Sequence, residues 1–304
     1  MIKSDQPKVS IIIDNYNYGR FLGQAIESAL SQTYSNTEII VVDDGSTDHS
    51  QEVIAQYDGK IIAVLKENGG QASAFNAGFA ASSGDLICFL DADDVMLPER
   101  VETAVNLLAQ HSQATWSYHQ LGLMDEHGKL ILTDSSTPQI YEFDMRSRMQ
   151  QGSLKQLPLP LPGIVGLTFR RSHLEKILPM PESEGIALND SYVQFVSCAI
   201  GPGVALSARL ETQRIHGNNA YTQSANQSKV KAKIHVLTAY WLRINFPFVY
   251  PFSNCLFASG LGLSWRIKED NEGLKQAIQD YQSMLSLREY PMIWVRAIYH
   301  ALKP

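Results

Sequence analysis

Three aspartates stand close together in the chain, at Asp91, Asp93 and Asp94, directly after the apolar run of residues 86–90. A short continuous apolar run is typical of a buried strand, so these acids follow the end of a predicted strand. Carboxylates this close together repel one another unless a cation or a proton offsets their charge. Hard divalent cations take oxygen ligands. The cluster therefore predicts a metal site, and phosphate groups are the natural partners of such a metal.

Other metal and nucleotide motifs do not fit the chain. A calcium-binding loop that began at Asp91 would need a ligand at its fifth position and glycine at its sixth, where the chain has Val95 and Met96. The segment Gly201-Pro202-Gly203 lacks the third glycine of a dinucleotide fingerprint, and the chain has no phosphate-loop lysine motif. The EF-hand, dehydrogenase and P-loop classes are thereby excluded.

Two more polar groups follow apolar runs in the first third of the chain. Residues 14–19, with the sequence DNYNYG, follow the run 9–13, and residues 43–48, with the sequence DDGSTD, follow the run 39–42. Structural explanations remain open for both groups. The second can be a tight turn followed by a helix cap, and Tyr16 can be a packing residue.

The apolar runs at residues 9–13, 39–42, 61–65 and 86–90 alternate with amphipathic helical patterns, and a further helix is predicted to begin near Pro98. This alternation predicts an α/β fold with a mostly parallel, Rossmann-like sheet flanked by helices. In such sheets, ligands bind outside the carboxyl ends of the strands. The three polar groups are therefore expected to converge at one edge of the sheet.

The rest of the chain is read as a second half and a helical extension. Residues 111–160 mix short strand-like pieces with turn residues, and we predict an irregular segment there. From residue 226 the apolar residues recur with helical spacing. The predicted organisation is an α/β half at residues 1–110, a second half of the same domain at 111–225, and a helical C-terminal region at 226–304.

Composition limits the class of protein. The chain has 304 residues, of which 44% are apolar, and a formal net charge of −6. This acidity and the lack of a basic run exclude a nucleic-acid partner. The three cysteines are odd in number and lack a zinc-binding spacing. Residues 1–8 carry no apolar leader, so a cytoplasmic location is expected.

Two segments raise the question of a membrane. Residues 245–265 carry no charge, but prolines and glycines interrupt them, so a buried or interfacial helix is favoured over a spanning one. Residues 291–304 place apolar side chains along one helical face and Arg296, His300 and Lys303 elsewhere. This pattern is consistent with peripheral contact on the inner face of a membrane, and equally with core packing or a subunit contact. The oligomeric state is not predicted.

Five ordered motifs carry a resemblance to a known family. They lie at residues 9–13 (VSIII), 15–17 (NYN), 38–48 (EIIVVDDGSTD), 67–78 (ENGGQ through NAG) and 89–94 (FLDADD). Together they resemble the family 2 glycosyltransferases of the GT-A fold, densely over residues 8–108 and thinly over 160–222. The resemblance implies a nucleotide-sugar-binding half at 1–110, an acceptor-binding half at 111–225, and an enzyme that transfers a sugar from a nucleotide diphosphate donor to a hydroxyl group.

The resemblance also implies roles for individual residues of a D-x-D-containing site. Asn15, Tyr16 and Asp44 are expected at the nucleotide, with Tyr16 and Asp44 at its base and Asp91 near the ribose. Asp93 is expected to hold Mn²⁺ or Mg²⁺ on the diphosphate, and His216 to add a metal or diphosphate contact. Asp190 is expected to be the catalytic base. Helix capping by Asp190 and a structural role for His216 remain open.

The implied reaction is metal-dependent and inverting, in polysaccharide or glycan biosynthesis, with a UDP-sugar favoured and a saccharide or lipid-linked acceptor. The chain departs from the family pattern at Asp14, where relatives usually have Pro or Thr, at Phe75, where many have arginine, and at Asn189, where many have glutamate. The alternatives are a nucleotidyltransferase and an inactive nucleotide-sugar-binding module. A nucleotidyltransferase needs a glycine-rich loop bearing Arg or Lys after the first strand, where this chain has Asn-Tyr-Asn-Tyr.

Overall fold

A computed structural model describes residues 6–132, 137–155, 157–182, 190–217, 227–268 and 272–303. The chain divides into two compact units. The first consists of Met1–Asp144, Leu157–Met180 and Gly201–His216, and the second of Met145–Gln156, Pro181–Ile200 and Gly217–Pro304. The division predicted at residues 110 and 225 stays a prediction.

The first unit contains a single mixed sheet built from every strand of the described residues. The strands are β1 Val9–Asn15, β2 Thr37–Asp44, β3 Ile62–Lys66, β4 Leu86–Asp91, β5 Val95–Met96, β6 Trp116–Asp125, β7 Leu130–Leu132, β8 Ile140–Phe143, β9 Leu167–Arg170 and β10 Gly203–Ile215.

The helices of the first unit flank or border this sheet. In the second unit, helices make up most of the described residues. In chain order they are α1 Gly19–Leu30, α2 Ser50–Ala55, α3 Gln71–Ala81, α4 Arg100–Gln110, α5 Arg146–Gln150, α6 Arg171–Leu174, α7 Asp190–Ile200, α8 Gln227–Asn245, α9 Tyr250–Ile267, α10 Glu272–Ser283 and α11 Tyr290–Leu302. Single 3₁₀ turns occur at Ile164–Gly166 and Pro247–Val249.

The first four strands lie where the apolar runs predicted them, and they are parallel as predicted. The predicted burial is wrong for β3, which is mostly exposed because it lies at the edge of the sheet. β1 and β4 are buried along most of their length because they are inner strands covered on both faces, which suits continuous apolar runs. α1 buries Phe21, Leu22, Ala25 and Ile26, which recur with helical spacing, on this core. The α/β fold with a helical C-terminal region is thereby confirmed.

The strand order is β3-β2-β1-β4-β9-β6-β10-β5. Pairing is parallel from β3 to β4 and again between β6 and β10, whereas β9 pairs antiparallel with both β4 and β6. Because β9 runs opposite to both β4 and β6, β6 and β10 run in the same direction as β4. β10 therefore ends at the same edge of the sheet as β4. The order also reverses at β1, which lies between β2 and β4. Such a switch point creates a crevice beyond the carboxyl ends of the strands.

The prediction that residues 111–160 are irregular is wrong. β6 occupies ten of these residues and pairs with both β9 and β10 in the sheet. Its buried positions include the polar Ser117 and His119 beside Trp116 and Tyr118, so the strand lacks the apolar run that marks a buried strand in a sequence. β10 was not predicted for the same reason, because Glu211 and Arg214 are buried within it.

A buried ion pair links α4 to β10. The Nε of Arg100 lies 2.9 Å from an Oε of Glu211, and neither side chain is exposed. The guanidinium also donates to the backbone carbonyls of Val165 and Leu167. Burial raises the pKa of the Glu211 carboxyl, and Arg100 counteracts that shift. The pair lets a charged strand run through the interior, because a buried charge is tolerated when it is paired.

In the second unit, α8, α9 and α11 pack together. Gly260 allows close approach of α9 to α8, since a Cβ there would lie 2.8 Å from the Val236 side chain and 2.9 Å from the carbonyl of Ala232. Among the helices of the described residues, none has the length and apolarity needed to cross a membrane.

We predict that Arg100→Met destabilises the protein by about 3–5 kcal/mol, because it leaves the Glu211 carboxylate buried without its partner. The double variant Arg100→Met/Glu211→Leu should recover part of this loss, since an apolar pair removes both charges. Urea unfolding followed by circular dichroism measures both values. Glu99→Gln, an exposed neighbour at the start of α4, is the control and should change stability by about 0.5 kcal/mol or less. A similar effect for Arg100→Met and the control would contradict the prediction.

Candidate active site

The register of the sheet places acidic side chains on neighbouring strands at the crevice. Asp14 of β1 is paired with Asp91 of β4, and Asn15 of β1 is paired with Asp43 of β2. Asp14 is only partly exposed, and Asn15 and Asp43 are buried. Polar residues that are separate in the sequence therefore meet where three parallel strands end.

The acid cluster itself follows β4. Asp91, Asp93 and Asp94 each have a carboxylate oxygen within 4.8 Å of the others. Asp93 and Asp94 are buried, whereas Asp91 is partly exposed. The cluster thus lies at the mouth of the crevice with one acid turned more toward solvent.

His216, at the end of β10, joins this cluster. Its Nε2 lies 2.9 Å from an Oδ of Asp93, and its side chain is fully buried. The rings of Tyr18 and Phe21 lie 5.6 and 5.1 Å from the imidazole, measured between ring centres. The two residues predicted as metal ligands are therefore direct neighbours, although they are distant in the sequence.

Arg214 fixes the acid loop to β10. Its backbone N–H donates to an Oδ of Asp94, and its Nε donates to the carbonyl of Asp93, each at 2.9 Å. The same guanidinium donates to the Gln24 side chain of α1 and lies over the ring of Phe21. One buried arginine thus connects the acid loop, β10 and α1.

The electrostatics of the cluster show excess negative charge. Burial, with a further contribution from Asp93, raises the pKa of Asp14 to about 7. Burial and the charges of Asp93 and Glu211 hold the pKa of Asp94 well above its ordinary value. Burial and the neighbouring aspartates also raise the pKa of Tyr18. The common cause is several carboxylates in a space with little water.

These side chains fit a divalent cation. The donor set offers oxygens from three aspartates and one imidazole nitrogen, and carboxylates suit Mg²⁺ and Mn²⁺. One Oδ of Asp94 and one Oδ of Asp14 are buried and have no hydrogen-bond partner among the described residues. A cation would satisfy these buried acceptors and offset the negative charge of the cluster.

The loops after β1 and β2 are bonded to each other. Asn17 adopts a left-handed conformation with φ of 60°, and its Oδ1 accepts a hydrogen bond from the Thr47 N–H at 2.8 Å. The Oγ of Ser46 accepts from the Asn17 N–H, and the Asn15 side chain donates to Asp43 and Ser46. This cross-linking leaves Tyr16 at the tip of the first loop with 47% of its surface exposed, available for stacking.

Asp44 has a full set of partners within the protein. One carboxylate oxygen accepts from the Lys66 ammonium at 2.6 Å and the Gly69 N–H at 3.0 Å, and the other accepts from the Gly70 N–H at 2.7 Å. Gly45, with φ of 75°, is needed next to it, because a Cβ there would lie 2.7 Å from the Asn68 nitrogen. In this structure Asp44 anchors the loop that precedes α3.

Asp190 belongs to the second unit. It is the first residue of α7, it is partly buried, and one Oδ accepts a hydrogen bond from the Gln194 side chain at 3.2 Å. The departure noted at Asn189, and the loop residues 218 and 219 that follow His216, lie outside the described residues.

Two residues of this site, Lys66 and Arg214, were not singled out from the sequence. Asn17, Tyr18 and Ser46 were included only as members of the polar groups at residues 14–19 and 43–48, and Asp94 was part of the predicted metal cluster. Lys66 bonds to Asp44, 22 residues away, and Arg214 bonds to Asp93 and Gln24, 121 and 190 residues away. No local pattern encodes contacts between residues so far apart in the chain.

Comparison with known proteins identifies the family. The profile of the family described as Glycosyl transferase family 2 matches residues 10–157. A protein of Nostoc sp. named as an uncharacterised glycosyltransferase is 36% identical over 243 residues, which are 77% of this chain and 74% of that protein. The chain belongs to glycosyltransferase family 2. The prediction made from the five motifs is thereby confirmed.

Solved structures agree with the fold of this family 2 glycosyltransferase. S. aureus TarS 1–349, solved with UDP, matches with a TM-score of 0.63 and 15% identity, over 97% of this chain and 89% of TarS. The mannosyltransferase PcManGT of Pyrobaculum calidifontis, solved with GDP-Man and Mn²⁺, matches with a TM-score of 0.53 and 15% identity, over 98% and 88% of the two chains. These matches confirm the GT-A type of fold.

We predict that Asp44→Asn lowers the stability of the ligand-free enzyme by about 1–3 kcal/mol, because the new NH₂ group would face an N–H or ammonium donor. Urea unfolding without nucleotide measures the loss. Asp58→Asn, at an exposed turn position, is the control. Unchanged stability together with lost nucleotide binding would show that Asp44 serves the ligand and not the loop.

Proposed function

We propose that this family 2 glycosyltransferase is a metal-dependent, inverting enzyme that moves a sugar from a nucleotide diphosphate donor to an acceptor hydroxyl. The observation that carries the proposal is the convergence of Asp91, Asp93, Asp94 and His216 at the switch point of the sheet. Such a set of ligands is suited to a cation bound to a diphosphate.

The solved relatives support the class of donor. TarS has been solved with UDP and with UDP-GlcNAc, and PcManGT with GDP-Man and Mn²⁺. We take a nucleotide diphosphate sugar as the donor, with uridine favoured as the nucleoside, and Mn²⁺ or Mg²⁺ as the cofactor. A saccharide or lipid-linked acceptor and a role in polysaccharide or glycan biosynthesis complete the proposal.

Asp93 and His216 would hold the ion, with Asp91 beside the ribose and Asp94 completing the acidic wall. A divalent cation supplies charge stabilisation for the leaving diphosphate. Arg214 keeps the loop of Asp93 and Asp94 in place through two hydrogen bonds. The protein thereby sets the positions of the ligands before the donor binds, which is the usual source of electrostatic catalysis.

The base of the nucleotide would meet the loop after β1. Tyr16 is exposed at the tip of that loop and offers an aromatic face, and Asn15 lies at its start with one buried Oδ1 that has no partner among the described residues. Asp44 is proposed to act at this end of the site through the loop at Gly69 and Gly70, which its carboxylate holds.

Asp190 is proposed as the general base. In a single displacement the acceptor oxygen attacks the anomeric carbon, the bond from that carbon to the phosphate oxygen breaks, and its electron pair leaves with the nucleoside diphosphate. The acceptor proton passes to the Asp190 carboxylate. Asp190 is the first residue of α7 and accepts a hydrogen bond from Gln194, and a carboxylate at this place, just before a helix in the second half of the chain, is what the family resemblance assigns to the base.

For Asp93→Ala we expect donor binding to lose its dependence on metal, because a ligand to the ion is removed. Calorimetric titration of UDP with and without Mn²⁺ measures this, after a thermal-shift panel of UDP-, GDP- and dTDP-sugars has identified the best donor. Asp58→Ala, an exposed acid in a turn, is the control and should bind as the native enzyme does. Equal affinity of the native enzyme with and without Mn²⁺ would refute the metal role.

For Asp190→Asn we expect transfer to fall by about 10²- to 10⁴-fold while donor affinity is unchanged, because the residue serves the acceptor. Steady-state transfer assays and donor titrations separate the two effects. Asp280→Asn is a matched control, since Asp280 also accepts a hydrogen bond from a glutamine one helical turn away. Native turnover in Asp190→Asn would remove this assignment. If the native protein bound donor but neither transferred nor hydrolysed it, the inactive-module alternative would hold.

A further inference from the structure

Helix α11 carries apolar side chains on two opposite faces. One face is buried in the second unit through Ile293 and Ala297, at 2% and 0% exposure. It lies against α9 at Gly262, where a Cβ would be only 2.3 Å from the carbonyl of Ala297. This face accounts for the packing of the helix and leaves the second apolar face unexplained.

The second face is exposed. Val295 and Leu302 lie on the same face, about two helical turns apart, and are 68% and 78% exposed. The remaining large apolar or aromatic side chains of this α11 surface are Met292, Trp294, Ile298 and Tyr299, all more than 40% exposed. A contiguous exposed apolar surface on a helix marks an interaction site.

The charges around the α11 surface are of one sign. No acidic residue occurs between Tyr290 and Lys303, whereas Arg288, Arg296 and Lys303 lie on or next to the helix. The nearest acid, Glu289, is bonded to Arg243 at 2.9 Å and to Asn254 at 2.7 Å. The surface is therefore cationic on a chain whose net charge is −6.

Aromatic side chains border the same surface. Trp265 of α9 and Trp294 of α11 pack together with ring centres 5.1 Å apart, and both remain partly exposed. Tyr250 and Tyr299 are also exposed. Tryptophan and tyrosine are enriched where a membrane meets water, since they join an apolar ring to a polar group.

A cavity of about 450 Å³ opens beside the exposed face. Its lining includes three arginines, Arg243, Arg288 and Arg296, together with Glu289 and Met292. Arg243 is paired with Glu289, so Arg288 and Arg296 supply the net positive charge of a recess next to apolar side chains. This arrangement is suited to a lipid phosphate above its acyl chains.

We propose that the α11 surface lies flat on a membrane containing anionic phospholipid, with its apolar side chains in the interface and Arg288, Arg296 and Lys303 against lipid phosphates. The length of α11, 13 residues, is short of the roughly 20 needed to span a bilayer, so the helix lies on the surface. A second copy of this chain is a less suitable partner for the α11 surface, because a two-fold contact would bring the same three cations of each copy against one another. The proposal is independent of sugar transfer.

Co-sedimentation of the full chain with vesicles tests it. We expect the protein to pellet with vesicles that contain phosphatidylglycerol and to stay in the supernatant with pure phosphatidylcholine, and added salt should release it. Arg288→Gln/Arg296→Gln should weaken the partition by roughly fivefold per arginine. Val295→Ser/Tyr299→Ser/Leu302→Ser should weaken it by at least about tenfold.

Matched controls come from the first unit. Leu65→Ser/Ile131→Ser removes side chains that are 56% and 61% exposed, and Lys60→Gln/Lys129→Gln removes two exposed cations. Both should bind as the native protein does, and circular dichroism should be the same for all variants. The proposal would be overturned if the native protein bound neither kind of vesicle, or bound both kinds equally. A concentration-dependent dimer that the serine variant abolishes, without vesicle binding, would assign the surface to a second copy instead.

Discussion

Repulsion among buried carboxylates is the constraint on which the strand-end edge of the first unit depends. Parallel register sets Asp14 next to Asp91, and the chain then adds Asp93 and Asp94 within a few residues. Burial strengthens the repulsion because little water remains to screen it. Burial is the main cause of the raised pKa values of Asp14 and Asp94, and the charge of Asp93 adds to both shifts. Protons or a cation would relieve this repulsion, so the acid cluster favours ion binding at this edge.

The same constraint explains why β10 is so long and so polar. Its last residues bring Arg214 and His216 to the acids, where a backbone N–H, a guanidinium and an imidazole contact Asp93 and Asp94. Farther along the strand, Glu211 requires Arg100 for its own charge. The polar residues of β10 form a series of paired contacts, and each pair ties the strand to a different part of the α/β half.

Charge is distributed differently in the second unit. There Glu289, directly before α11, is bonded to Arg243 and Asn254, and Arg288, Arg296 and Lys303 are exposed residues next to exposed apolar side chains. The first unit concentrates negative charge where a cation and a diphosphate would bind, and the second presents positive charge on a surface. An enzyme with a lipid-linked acceptor would use both properties, the first for the donor and the second to remain near the acceptor.

The sequence by itself determined the α/β half and its family. The continuous apolar runs marked the first four strands, of which β1, β2 and β4 are largely buried. The motifs after these strands fall at strand ends because the loops are short, so Asn15, Tyr16, Asp91 and Asp93 could be placed at one edge. It did not reveal β6 and β10, because buried polar residues in those strands remove the apolar signal. Only the tertiary structure decided that Arg214 supports the acid loop, that Asp44 is occupied by the loop at Gly69 and Gly70, and that α11 has an exposed apolar face. Those contacts join residues far apart in the chain, and their free energy depends on burial and on partners that no local pattern contains.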